Sequence, residues 1–132
     1  MGVSIFANNR KCPIEFDMGY GSFFYLRKEV GDALAISAYE AWLKTDDNTP
    51  KDKLHQICET FHEQVGNAAY EFLTQSDCEG TLSHKQCGEL YDVIKDIKVD
   101  GHFGYIRCMH SFDDFKELLK YCYSHRTKLV WR

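Results

Sequence analysis

The stretch from Gly19 to Thr45, GYGSFFYLRKEVGDALAISAYEAWLKT, is the longest segment that reads as one helix, and it limits what the rest of the chain can build around it. At about 100° per residue, Phe23, Leu26, Val30, Ala33, Leu34, Ser37, Ala38 and Ala41 share one face. Phe24, Gly31, Ala35 and Trp42 make a second apolar edge, with Ile36 and Leu43 further round, so that only Lys28, Glu29, Asp32 and Glu40 form a polar strip. A helix apolar on most sides is covered on most sides. This predicts a central helix over about residues 22–44, enclosed by its neighbours. Ser22 is the expected N-cap, with Gly19 and Gly21 turning the chain into it. Gly31 costs roughly 1 kcal/mol against alanine inside a helix, which predicts close packing there as compensation. Arg27, Lys28, Glu29, Asp32 and Glu40 interrupt the apolar run, so the helix is not a membrane span.

The other segments supply the cover. Gly2 to Asn8 alternates β-branched and aromatic residues with small or polar ones, and Cys12 to Phe16 is the expected return strand of a hairpin. Pro13 cannot donate to a ladder, which puts the return strand at an edge. Thr49, Pro50 and Asp52 signal a helix start, and Leu54, Ile57, Cys58, Phe61, Val65, Ala68, Ala69 and Phe72 carry a helical period to about Thr74. Gln75 to Leu82 reads as a loop. Ser83 with Gln86 opens a third helix to about Lys98, and Ser111 with Asp114 opens a fourth that ends near His125. The run FGYIRC, 103–108, reads as either a strand or an extended loop. Leu129 to Trp131 reads as a terminal strand, and its expected partner is the N-terminal hairpin, because an isolated two-stranded ribbon is marginal in water. The expected fold is α+β: about four helices around the N-terminal one, with a small sheet from the hairpin and the last strand.

At 132 residues, 44% of them hydrophobic and only two of them proline, the chain is expected to be a single ordered domain, residues 1–132. A net charge of −4 with no basic block argues against nucleic acid as a partner. His125, Arg126, Lys128 and Arg132 read instead as a solvated end that complements a helix dipole. Six cysteines could form three disulfides, but Met1 to Ala7 is strand-like and not a secretory leader, so the thiols are expected to be reduced in a cytoplasm. Phe6 stands where a myristoylation signal needs Ser or Thr, and the tail KLVWR is no prenylation signal, so no membrane anchor is expected.

His55, Cys58 and His62 lie at spacings of three and four on one side of the second helix, where metal ligands could gather. The competing reading makes Cys58 a small core residue and the two histidines its border, and the CxxC pair of a structural zinc site is lacking. Cys108 with His110, or Cys122 with His125, could complete such a site only if the fold brought them near. Asp77, Glu79, Gly80, Leu82 and Ser83 echo a calcium loop, yet its first and twelfth positions would be Gln75 and Gln86, which supply no carboxylate. GYGSF is not a nucleophile elbow, and neither a phosphate loop nor a dinucleotide fingerprint is present. No catalytic residue and no cofactor is therefore assigned. Tyr20, Phe23, Phe24 and Tyr25 carry more ring area than one helix face hides. Most of it is expected in the core, with Tyr20 or Phe24 left partly exposed as a contact surface beside a glycine-framed turn and an edge strand.

GVSIFANN followed by IEFDMGYGSFFYLRKEV resembles the opening of small uncharacterised phage and prophage proteins of Gram-positive bacteria, where a short strand leads to DxGYGGF-like residues and a helix. Asp17, Met18, Gly19, Tyr20, Gly21 and Phe23 carry the likeness at one end, and the terminal strand with tryptophan, Leu129 to Trp131, at the other. Ser22 departs from the more usual glycine. The resemblance implies a phage-encoded origin and no particular activity. The resulting expectation is a non-enzymatic cytoplasmic protein that binds a protein partner, or a second copy of itself, through Tyr20 and Phe24. The alternative is a small metal-dependent or cysteine/histidine enzyme using His55, Cys58 and His62.

Overall fold

Val3, Ile5 and Ala7 alternate with Gly2, Ser4 and Phe6, and that period of two places one face of the first strand in the core. A computed structural model describes residues 2–105 and 109–132. In it, β1 (Gly2–Ala7) pairs antiparallel with β2 (Phe16–Gly19) in the register Gly2↔Gly19 to Ile5↔Phe16. The return strand thus starts where the predicted one ended, and Pro13 lies in the loop before it. On its other side β1 pairs with the terminal strand β6 (Leu129–Trp131), Ile5 opposite Trp131, as the sequence led us to expect. Phe6 points to the opposite face and is still only 2% exposed, because the Arg10 guanidinium lies 3.5 Å from its ring centroid and that of Arg132 5.4 Å away.

The sheet has a fourth strand that the sequence reading missed. β3 (Gly80–Leu82), predicted as loop, pairs antiparallel with β6 and completes the order β2-β1-β6-β3. On its outer side the Gln75 side-chain amide donates to Thr81 O at 2.8 Å and accepts from Thr81 N at 3.0 Å. A side chain there takes both backbone bonds that another strand would have made.

Five helices pack with this sheet among the described residues: α1 (Tyr20–Leu43), α2 (Lys51–Val65), α3 (Asn67–Thr74), α4 (His84–Ile94) and α5 (Phe112–Ser124). A two-stranded ribbon, β4 (His102–Phe103) with β5 (His110–Ser111), lies between α4 and α5 in the chain. Positions 106–108, part of the run left open between strand and loop, lie outside the described residues. The α+β class holds; the predicted second helix is two. Gly66, at φ 86° and ψ 166°, ends α2 and starts α3, a backbone conformation that L side chains seldom adopt. The box read from Thr49 and Asp52 does not form: Pro50 holds the N-cap position without a side-chain cap, and Thr49 Oγ1 accepts from Asp46 N instead. Ser83–Gln86 and Ser111–Asp114 do close as reciprocal capping boxes. The Ser111 backbone and side-chain bonds hold the Asp114 carboxyl below its usual range.

The longest helix departs most from its expected form. It begins at Tyr20, with Gly19 at the N-cap, so Ser22 caps nothing. It is also not one rod: Ala35 is extended, at φ −163° and ψ 70°, and the ladder is interrupted there. Before the break the predicted stripe holds, with Phe23, Leu26 and Val30 at 0% exposure. Ala33, just before it, is exposed; beyond it Ala38 of the stripe stays buried and Tyr39 joins it, while Ser37 and Ala41 are exposed and Ile36 is 52% exposed. The Tyr39 ring folds back onto Gly31: a Cβ at that glycine would stand 2.5 Å from Tyr39 Cδ2. The close approach predicted at Gly31 therefore comes from the far half of the same helix and not from another one.

Two opposed effects make Gly31→Ala a test of this packing. Alanine should add about 1 kcal/mol of helix propensity, whereas forcing a methyl into an occupied space costs typically about 1–3 kcal/mol. Overpacking is expected to win, giving a net loss of up to about 2 kcal/mol in denaturant unfolding. The loss should disappear in the Tyr39→Leu background, where the ring is gone.

Candidate functional site

Because β2 runs directly into α1, Tyr20, Phe24 and Tyr25 stand within the first two turns of the helix beside the sheet edge. Tyr20 is half-buried, and its phenol is held above its usual range chiefly by a hydrogen bond with the Cys78 thiol. Phe24 is 49% exposed, Tyr25 48% and Tyr105 52%. Tyr25 leans on the buried Phe103 with centroids 5.7 Å apart, and Tyr105 N donates to Asp17 O of β2 at 2.9 Å, so the two chain segments meet at this end of α1. Phe23, in contrast, is wholly buried. Tyr20 and Phe24, four residues apart, thus share one face, while Tyr25 lies about 100° round from Phe24, over Phe103.

Beneath Phe24 lies a cleft of about 160 Å³ lined by Phe24, Arg27, Tyr39, Trp42, Leu43, Leu73 and Asp77. Five of its walls come from the two halves of the interrupted helix, Phe24 and Arg27 before Ala35 and Tyr39, Trp42 and Leu43 after it, and Leu73 of α3 with Asp77 completes them. Tyr39 and Trp42 stack at 6.0 Å, and Phe61 of α2 packs against both, at 5.6 and 5.8 Å. Burial pushes the Tyr39 phenol up to about 12.

Arg27 is 7% exposed. Its guanidinium lies 4.3 Å from the Phe23 centroid, 5.6 Å from that of Trp131 and 5.7 Å from that of Phe72. Its Nη2 donates to Ser76 O at 3.3 Å, a carbonyl that also accepts from Trp131 Nε1 at 2.9 Å, while its Nε has no partner. Among the described residues no carboxylate lies within ion-pair distance of it. Burial accordingly pulls its pKa down to about 10, against the opposing fields of Tyr39 and Asp77. The other buried cation, Lys116, is served quite differently: its Nζ donates to Lys95 O at 3.0 Å and Ile97 O at 2.6 Å, closing the end of α4. In the sequence Arg27 counts only as one of the charges that interrupt the apolar run. The signal was there, since at 100° per residue it falls within about 40° of Phe23, inside the apolar stripe.

The metal candidates do not converge. His55 is exposed and stands 3.7 Å from Glu59, His62 stacks on Tyr70 at 4.4 Å with its Nε2 3.2 Å from Asn67 Oδ1, and Cys58 is half-buried on the side facing Tyr70. Among the described residues no group of three His, Cys, Asp or Glu side chains is placed to hold a metal ion. Cys108, the possible further ligand, lies outside the described residues. The calcium-loop echo dissolves as well, because Gly80 to Leu82 is strand and Asp77 and Glu79 face solvent. Where thiol pKa values are displaced they move away from nucleophilicity: Cys122 is pushed up by its hydrogen bond with Cys87 and by burial, and Cys12 by burial.

Comparisons of the chain with protein-family models, with curated proteins and with solved structures gave no match. No helix among the described residues is long and apolar enough to cross a membrane.

Proposed function

We propose that the protein is a non-enzymatic interaction module that engages a protein partner through the aromatic surface at the start of α1, with Tyr20 and Phe24 as its centre. The observation that carries this reading is the half-exposure of Phe24 and Tyr25 in the first two turns of α1 and of Tyr105 on the segment that reaches β2. Rings exposed together beside an edge strand are the residue types that dominate contact energy between proteins. Five unpaired cysteines among the described residues support a reducing compartment, the cytoplasm. The net charge of −4 supports a protein over a nucleic acid as partner. The likeness of Asp17 to Phe23 to phage proteins makes a bacterial host protein the partner we favour.

The experiment compares Tyr20→Ala and Phe24→Ala with the unaltered chain in affinity capture from a bacterial lysate and in sedimentation. Loss of a central ring contact costs about 2 kcal/mol or more. Each variant should therefore bind the captured partner at least about tenfold more weakly while its circular dichroism is unchanged. A folded pair of variants with capture and self-association both intact would defeat the proposal.

A further inference from the structure

We propose that the cleft under Phe24 receives one acidic side chain, a glutamate or aspartate of the protein partner, whose carboxylate pairs with Arg27. This rests on the reading of the α1 surface as an interaction site and names the chemistry of its central contact. Arg27 lines the cleft with its Nε buried and unpartnered, and among the described residues no carboxylate stands within ion-pair distance of it; the one acid in the lining, Asp77, is exposed and acts on it only from further off. The faces of Phe23, Phe72 and Trp131 hold the guanidinium in place beforehand, which removes the rotamer cost that a flexible arginine would incur on pairing. The remaining walls, Phe24, Tyr39, Trp42, Leu43 and Leu73, are apolar or aromatic and lower the local dielectric around the pair.

Size selects the guest. A volume of about 160 Å³ falls short of the roughly 300–1,000 Å³ that holds a cofactor or drug-sized ligand, and suits a single side chain. Asp77, exposed on the lip, opposes the attraction of Arg27 for an incoming anion. The same aspartate weakens binding of any anion, so its removal has a definite sign.

The test is a nuclear magnetic resonance titration of the full chain, reading the Arg27 Nε–H and Trp42 indole resonances. The probes are N-acetyl-Leu-Glu-Leu-amide, its glutamine counterpart, and free 3-phenylpropionate. The glutamate peptide should shift both resonances saturably, and the glutamine peptide should bind at least about tenfold more weakly, as for loss of a charged hydrogen-bond partner. Asp77→Asn should tighten the glutamate peptide about two- to fivefold, the size of a partly screened charge interaction. Arg27→Met should erase the distinction between the two peptides; should that variant not fold, Phe24→Asp, at an exposed position, should abolish binding of the glutamate peptide through like charge at the mouth. Equal binding of the two peptides, or no shift at Arg27 with any probe, overturns the proposal. Tighter binding of 3-phenylpropionate than of the peptide also overturns it, because the guest would then be a free small carboxylate. Partner capture that depends on Phe24 without any carboxylate response at Arg27 sinks the anchor and leaves the surface reading standing. A carboxylate response without Phe24-dependent capture does the reverse.

Discussion

Trp131→Ala is expected to lower the unfolding free energy by about 3–5 kcal/mol, the range for removing a buried aromatic side chain. Trp131 is wholly buried in the penultimate position of the chain, on the strand that joins β1 to β3. Its ring lies 5.9 Å from that of Phe23 and 5.8 Å from that of Phe72, so it ties the sheet to α1 and α3 at once. Its indole N–H also holds Ser76 O, the carbonyl that Arg27 uses. The loss should appear in equilibrium denaturation as a lower midpoint, and Trp131→Phe, which keeps a ring but no donor, should recover a substantial part of it. A loss below about 1 kcal/mol, the level of an ordinary surface change, would show that the last strand is not integral to the core.

Phe61→Ala should cost a similar amount, about 3–5 kcal/mol, but its signature should be local. Phe61 is the wholly buried contact by which α2 holds the half of α1 beyond Ala35, stacked on Trp42, tilted against Tyr39 and edge-on to Tyr70 at 5.7 Å. The interruption at Ala35 leaves that half with no continuous ladder to the first half, so the packing on Phe61 is what keeps it in position. Native-state hydrogen exchange should therefore speed up in residues 36–43 and in α2 well before it does in α5. Uniform acceleration over all five helices would argue that the structure opens as one unit.

The parts of this architecture that could be read in the sequence are those specified within four residues of themselves. Ser83 with Gln86 and Ser111 with Asp114 state a helix start in local chemistry, and both form. The pairing of the terminal strand followed from the need of a two-stranded ribbon for a third partner. What was missed depends on distant residues. Alanine is the best helix former, so nothing around Ala35 announces an interruption, nor that Tyr39 beyond it packs back over Gly31. Gly66 did carry a signal, but an unbroken apolar period from Leu54 to Phe72 is produced equally by one helix or by two that share a buried side. β3 is three residues long, too short for alternation to show. In the site, Tyr20 and Phe24 were recognisable as excess aromatic surface, whereas the cleft beneath Phe24 joins side chains from both halves of α1 with Leu73 and Asp77, which no local pattern brings together.

The Gln75 side chain on Thr81 bears on how this chain behaves in a crowd. By filling the donor and acceptor of the outermost strand with its own amide, the molecule offers neighbouring copies no template on that flank for stacking into fibrils.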